Sequence, residues 1–270
     1  MPERTKKPAW VVDKERARRA EARATLWLFG LHAVGAALRN PDRDKVRLVV
    51  TRNAADRLGD AVAAGGLEPE IADPRAFPAP LDPGSVHQGA ALEVRALDWG
   101  PLDAVAARPG GPVVCLDRVS DPQNVGAILR SAEVFGARAV IAPARHAAPE
   151  TGALAKAASG ALERQPYLRV TNLSRALGQL GDMGFVRLGL DGGADATVAD
   201  AVADAGDRPV ALVMGAEGPG LREGTRAACD ALVRIDAAGG FGSLNVSNAA
   251  AVALYAATAE RRGGQDANRG

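Results

Sequence analysis

Asp117 to Ala137 reads DRVSDPQNVGAILRSAEVFGA, and the fold is decided by how this stretch is read. An apolar run ending in PVVCLD gives way to a polar loop. Val125, Ile128, Leu129, Ala132 and Phe135 then recur at helical spacing, which makes one buried helix face. RAVIA follows as an apolar run of strand length. The alternation of strand and helix continues through YLRV, FVRLGL, VALVM and LVRI. This region therefore reads as a mostly parallel sheet covered on both faces. Leu244 to Arg262 closes it as a long Ala-rich helix.

Upstream, residues 26 to 38 (LWLFGLHAVGAAL) start apolar and become helical, RNPDRD is a turn, and VRLVVT is a buried strand. Asn53 to Ala64 has helical character, Asp73 to Gly84 is a Pro- and Gly-rich loop, and residues 85 to 96 supply another strand. A second break ends in ARPGGP and marks a domain boundary. The organisation predicted is a basic flexible arm over 1–24, a small α/β domain over 25–97, a linker over 98–111, a larger α/β domain over 112–262 and a flexible tail over 263–270.

With 47% hydrophobic and 24% charged residues the chain is of globular composition. Only 4% is aromatic, so the core must be built from Ala, Val and Leu. The chain has no apolar run of ~18 residues to cross a membrane, and its first residues lack the apolar core of a secretory signal. A cytoplasmic location is expected. The two cysteines, Cys115 and Cys229, sit beside strand-like residues and read as buried and reduced. His32, His87 and His146 are far apart and have no metal-ligand spacing, so no metal is expected. Net charge is +1, but residues 1 to 25 carry +4 of it, leaving −3 for the rest. Such an arm suits phosphate attraction, and equally suits a solvated terminus.

Two further segments share the character of the first. VMGAEGPGL (Val213 to Leu221) and GSLNVSNAAAVALY (Gly242 to Tyr255) also place glycines and polar side chains where an apolar strand yields to a loop or helix. Open α/β sheets bind ligands at such places. Alone, Asn124 reads as an N-cap and Arg130 as a solvent-facing helix residue. GAEGPG lacks the G-x-G-x-x-G spacing of a dinucleotide loop and puts Glu217 where a pyrophosphate would lie. Ser243, Asn245, Ser247 and Asn248 are more polar groups than one helix cap requires.

Together the segments resemble the three signature motifs of the SpoU/TrmH family of SPOUT-class RNA 2′-O-ribose methyltransferases. DPxNxGAxxRxAxxFG matches the first motif nearly position by position, and SLNVS is the third verbatim. FGLHAV and HQGA resemble the N-terminal substrate-binding module of the branch that modifies a guanosine in large-subunit ribosomal RNA. The chain departs from that branch at Asp236 and Ala237, where Pro-Met is common, and at Asn248, where an apolar residue is common.

The resemblance implies a C-terminal parallel-sheet α/β domain with a deep trefoil knot and a smaller N-terminal α/β domain that binds RNA. It implies S-adenosylmethionine as cofactor without a metal, RNA as substrate, and a homodimer. It places Arg130, Asn124, Glu217, Ser243 and Asn245 at the reacting ribose, and Gly215, Ile235 and Leu244 at the cofactor. Family reasoning makes the arginine a base. Neutralising a guanidinium at pH 7 costs at least about 7 kcal/mol, so a protonated clamp is physically easier. A transfer-RNA ribose is an alternative substrate. An RNA-binding protein without catalysis would not need all five polar residues, and a nicotinamide oxidoreductase would need the missing fingerprint.

Overall fold

The computed structural model of the chain describes residues 24–237 and 244–267, with side chains through residue 259. Ser243 and the basic arm up to residue 23 lie outside the described residues. The chain divides into two units, Met1–Leu97 and Asp98–Gly270.

The first unit runs β1 (Thr25–Phe29), α1 (Leu31–Arg39), β2 (Lys45–Val50), α2 (Arg52–Leu58), α3 (Asp60–Gly65), β3 (Glu70–Ile71) and β4 (Ala90–Arg95). Its sheet has the order β1-β4-β2-β3, with β4 antiparallel to both neighbours and β3 parallel to β2. Leu31, Val34 and Leu38 recur along one face of α1 and are buried. The single helix expected over Asn53 to Ala64 is two helices. Thr51 caps the first by accepting from the Ala54 amide, and Gly59 breaks the run with φ at 50°, which a glycine adopts without strain.

The second unit comprises α4 (Leu102–Ala106), β5 (Val113–Asp117), α5 (Pro122–Val134), β6 (Ala139–Pro143), α6 (Gly152–Ala158), a 3₁₀ turn (Ala161–Glu163), β7 (Tyr167–Val170), α7 (Leu173–Asp182), β8 (Val186–Leu190), α8 (Val198–Ala205), β9 (Val210–Gly215), α9 (Glu223–Arg226), β10 (Ala231–Val233) and α10 (Val246–Ala267). Six parallel strands lie in the order β10-β8-β9-β5-β6-β7. From β5 the chain builds outward through β6 and β7, then returns to fill the other side. The direction reverses between β5 and β9, and ligand clefts of open sheets form at such a reversal.

Every residue of β5 and β6 is buried, which explains their unbroken apolar sequence. Alternate side chains serve opposite faces. Val113, Cys115, Ala139, Ile141, Ala211 and Val213 pack with Leu173, Leu177, Leu180 and Val105 of α7 and α4. Helices α5, α6, α8 and α10 pack against one another and, through α10, against β9. The expected linker is thus no bare connection, because α4 within it buries Val105 and Ala106 in this core. The last helix also continues to Ala267, past its expected end at Arg262. Cys115 is buried and its thiol pKa is pushed far above the ordinary range by burial. Cys229 is only partly buried, contrary to expectation, and burial raises its pKa to about 11.

Gly126 sets the spacing of α5 and α6. A Cβ there would lie 2.4 Å from the Ala157 Cβ and 2.8 Å from two backbone atoms of α6. Gly126→Ala is expected to cost about 1–3 kcal/mol by overpacking. Ala157→Gly should not rescue it, because the backbone atoms remain. Urea denaturation of the single and double variants measures both effects.

Candidate active site

A cleft of about 720 Å³ opens at the C-terminal ends of β8, β9 and β10. Leu190, Asp191 and Gly192 line it after β8, Met214 to Gly218 after β9, and Arg234 to Ala237 after β10. Leu244, Val246, Ala249 and Val252 close it from the side of α10. Gly215, Ile235 and Leu244, the three positions singled out for a cofactor, therefore line one cavity. Its walls mix apolar side chains with polar surface in nearly equal measure, its carboxylates come from Asp191, Glu217 and Asp236, and Arg234 adds a guanidinium. Asp191 is paired with Arg226, and Asp236 with Arg234 at 2.6 Å.

The GAEGPGL loop folds back on itself beside the cleft. The Gly220 amide donates to the Ala216 carbonyl at 3.0 Å. A Cβ at Gly215 would sit 2.2 Å from the carbonyl carbon of Gly220, so no other residue fits there. The turn lifts Glu217 off the end of β9 and toward the ends of α5 and α10.

Three of the five polar residues expected at the reacting ribose meet here. Oε1 of Glu217 accepts from Asn245 Nδ2 at 2.6 Å, from the Val246 amide at 3.2 Å, and from Asn124 Nδ2 at 3.5 Å. Asn245 Nδ2 also donates to Asn124 Oδ1 at 2.9 Å. The amide orientations follow from these bonds. Asn245 Oδ1 caps α10, accepting from the Ser247 amide at 2.9 Å and from the Ser247 hydroxyl at 2.5 Å. Its NH₂ group must then face Glu217. Asn124 is not the cap of α5. Asp121 fills that role by accepting from the Gln123 amide, which leaves the Asn124 side chain for the network.

Arg130 does not join this network. It lies six residues beyond Asn124, roughly 120° around the helix and about 9 Å along it. Its side chain is exposed and makes no hydrogen bond or ion pair with the described residues. Ser243 lies outside the described residues. Among those described, no three His, Cys, Asp or Glu side chains come close enough to hold a metal ion.

Sequence reasoning missed Asp117. It ends β5 with a fully buried side chain, and Gly215 is its partner across the ladder to β9. Its carboxylate accepts from Arg222 Nε at 2.7 Å and from the Arg222 amide at 3.0 Å. Arg222 directly follows the Gly-rich loop, so the buried carboxylate anchors that loop at its far end. An exposed ion pair contributes at most about 1 kcal/mol. A carboxylate withdrawn from water depends far more on its partners. The available signal was an acid closing an otherwise apolar strand.

The family model described as "SpoU rRNA Methylase family" matches residues 111–255. A protein of Ralstonia nicotianae named 23S rRNA (guanosine-2'-O-)-methyltransferase RlmB is 40% identical over 244 residues, covering 87% of this chain and 95% of that protein. The protein of that name from Vibrio vulnificus is 35% identical, covering 88% of this chain and 98% of the relative. Among solved structures, an AdoMet-bound rRNA methyltransferase from Sinorhizobium meliloti superposes with a TM-score of 0.70 at 25% identity, over 97% of this chain and 98% of that one. The SpoU methyltransferase AviRb from Streptomyces viridochromogenes shares the fold, with a TM-score of 0.74 at 24% identity over 92% and 94%.

The buried anchor can be tested apart from any activity. Arg222→Ala is expected to lower stability by about 1.5–3 kcal/mol. Asp117→Asn in the same background should recover part of that loss, because a buried amide is less costly than an unpaired carboxylate. Equal stability of the single and double variants in urea would contradict a charge-based role.

Proposed function

This chain belongs to the SpoU rRNA methylase family, and from that membership and the site geometry we propose that it methylates the ribose 2′-hydroxyl of a guanosine in 23S ribosomal RNA. S-adenosylmethionine is the methyl donor. Relatives of that named activity, 35–40% identical over nearly their whole length, favour ribosomal over transfer RNA. The observation that carries the reading is that Glu217 belongs both to the cleft and to the network with Asn124 and Asn245. The cleft thus offers a cavity with apolar side chains and carboxylates, and its rim offers polar groups suited to a ribose.

The cavity fits the cofactor. Its apolar side chains suit an adenosine, its carboxylates suit a molecule carrying a sulfonium and an ammonium, and Gly215 brings backbone close to the cavity. When bound, the cofactor supplies a methyl group already activated on sulfur. The protein must place the hydroxyl in line and stabilise charge as its proton passes to solvent water. Positioning alone is worth about 7–11 kcal/mol. Glu217, with Oε1 committed to three N–H donors, presents its other oxygen to a ribose hydroxyl. Asn124 and Asn245 hold that carboxylate in place. Arg130, as a guanidinium, clamps the phosphate and stabilises the developing alkoxide.

We further assign the face of α5 and α10 to a homodimer. Val134 is 76% exposed and Tyr255 63% exposed, on helices joined by an edge contact of the Phe135 and Tyr255 rings at 6.1 Å. Arg130 lies one turn before Val134 on the same face, so a second copy covering this patch would also enclose the guanidinium. The N-terminal unit grips RNA, with help from the basic arm. The chain acts in the cytoplasm, where ribosomal RNA is found, and not at a membrane. No described helix is long and apolar enough to cross one.

Mapping 2′-O-methyl groups in ribosomal RNA tests the function. Cells lacking the gene should lose one modified guanosine, regained with the wild-type chain and not with Arg130→Ala. In vitro that variant should bind S-adenosylmethionine within about twofold of wild type and turn over at least ~100-fold more slowly. Near-normal turnover would remove Arg130 from the mechanism. Tyr255→Lys should convert a dimer into a monomer by light scattering, and a wild-type monomer at micromolar concentration would refute the assigned face.

A further inference from the structure

The N-terminal unit holds a second cavity, of about 530 Å³, which the reaction does not use. It is lined by Thr51 to Asn53 after β2, by Ile71 to Pro74 after β3, and by His87 to Gly89 before β4. We propose that this groove is a subsite for one unpaired guanine base of RNA, an inference that rests on the reading of the chain as an RNA enzyme.

The groove has a stacking platform. The His87 and Phe77 rings are stacked with centroids 4.2 Å apart. The Gly89 amide donates to His87 Nδ1 at 3.1 Å, which fixes the ring and leaves its proton on Nε2. Gln88 is held at φ 55°, a left-handed conformation costly for a residue with a Cβ. Its Oε1 accepts from the Leu31 amide at 3.1 Å, so the strained turn is tied to the start of α1. Such strain collects where a turn is fixed for a ligand. Gly89 admits no Cβ, which would meet Thr51 Oγ1 at 2.4 Å. The groove floor is therefore tied to α1 and packed against Thr51.

The polar lining selects the base. Arg52 and Asn53 are exposed and make no hydrogen bond or ion pair with the described residues. Asp73 accepts from the Arg75 amide through Oδ1 at 2.8 Å, and Oδ2 makes no such bond. A carboxylate only accepts, and guanine offers it the N1–H and N2–H donors. A guanidinium only donates, and guanine offers it the O6 and N7 acceptors. Adenine would set an acceptor at N1 against the carboxylate and a donor at N6 against the guanidinium. Unpaired bases stacked on aromatic or histidine rings and hydrogen-bonded at their edges are the usual objects of sequence-specific RNA recognition.

With three histidines in the chain, histidine-labelled protein gives a readable NMR spectrum. The full chain, saturated with S-adenosylhomocysteine to fill the cofactor cleft, is titrated with 5′-GMP, 5′-AMP and inorganic phosphate. GMP should move the His87 ring signals and leave those of His146, in the other unit, in place. AMP should bind at least about fivefold more weakly, the low end of what one bidentate contact discriminates. Asp73→Asn should shrink that difference below about twofold. Equal shifts with GMP and AMP, a His87 shift with phosphate alone, or no shift with any of the three would overturn the proposal. Calorimetry with S-adenosylmethionine on the same protein before S-adenosylhomocysteine is added separates the two readings, since the cofactor cleft can bind while this groove does not.

Discussion

One carboxylate oxygen holds the proposed site together. Oε1 of Glu217 accepts from side chains on α5 and beside α10 and from the first amide of α10. It thereby joins the helix that follows β5, the loop that follows β9, and the last helix of the chain. These elements meet where the strand order reverses, so each brings its N-terminal end or its loop to the same corner. The cap of α10 orients the Asn245 amide, and that amide donates to Asn124.

Steric and electrostatic conditions behind this corner make it possible. Gly215 lets the loop double back, and Gly126 lets α5 approach α6 until a Cβ would overlap backbone. Asp117, buried at the end of β5, holds the loop through Arg222. The glycines act by what they omit, and the aspartate by the cost of leaving it unpaired. The network around Glu217 therefore depends also on residues that take no part in it. Arg130, by contrast, lies on the outside of a single chain and shares the exposed face of α5 with Val134.

Much of the architecture was legible in the sequence. The central strands β5, β6 and β9 of the second unit are nearly continuous apolar runs because both faces are covered, and each was read at nearly its observed limits. What failed was short or exposed. β3 is two exposed residues paired by backbone alone, and α4 is a five-residue helix inside a Pro- and Gly-rich break. The two helices over Arg52 to Gly65 follow one another without a gap beyond Gly59, and the dihedral angles at Gly59 separate them.

The sequence by itself determined the α/β class, the position of the polar segments after apolar strands, and the residue types a ribose site requires. These are local properties, set by periodicity, propensity and the chemistry of each side chain. Tertiary structure alone decided which polar groups meet. Asp117 and Arg222 are 105 residues apart, and Asn124 and Asn245 are 121 apart. No local pattern encodes such pairs, because their distance is set by sheet order and by how closely glycine lets helices and loops approach.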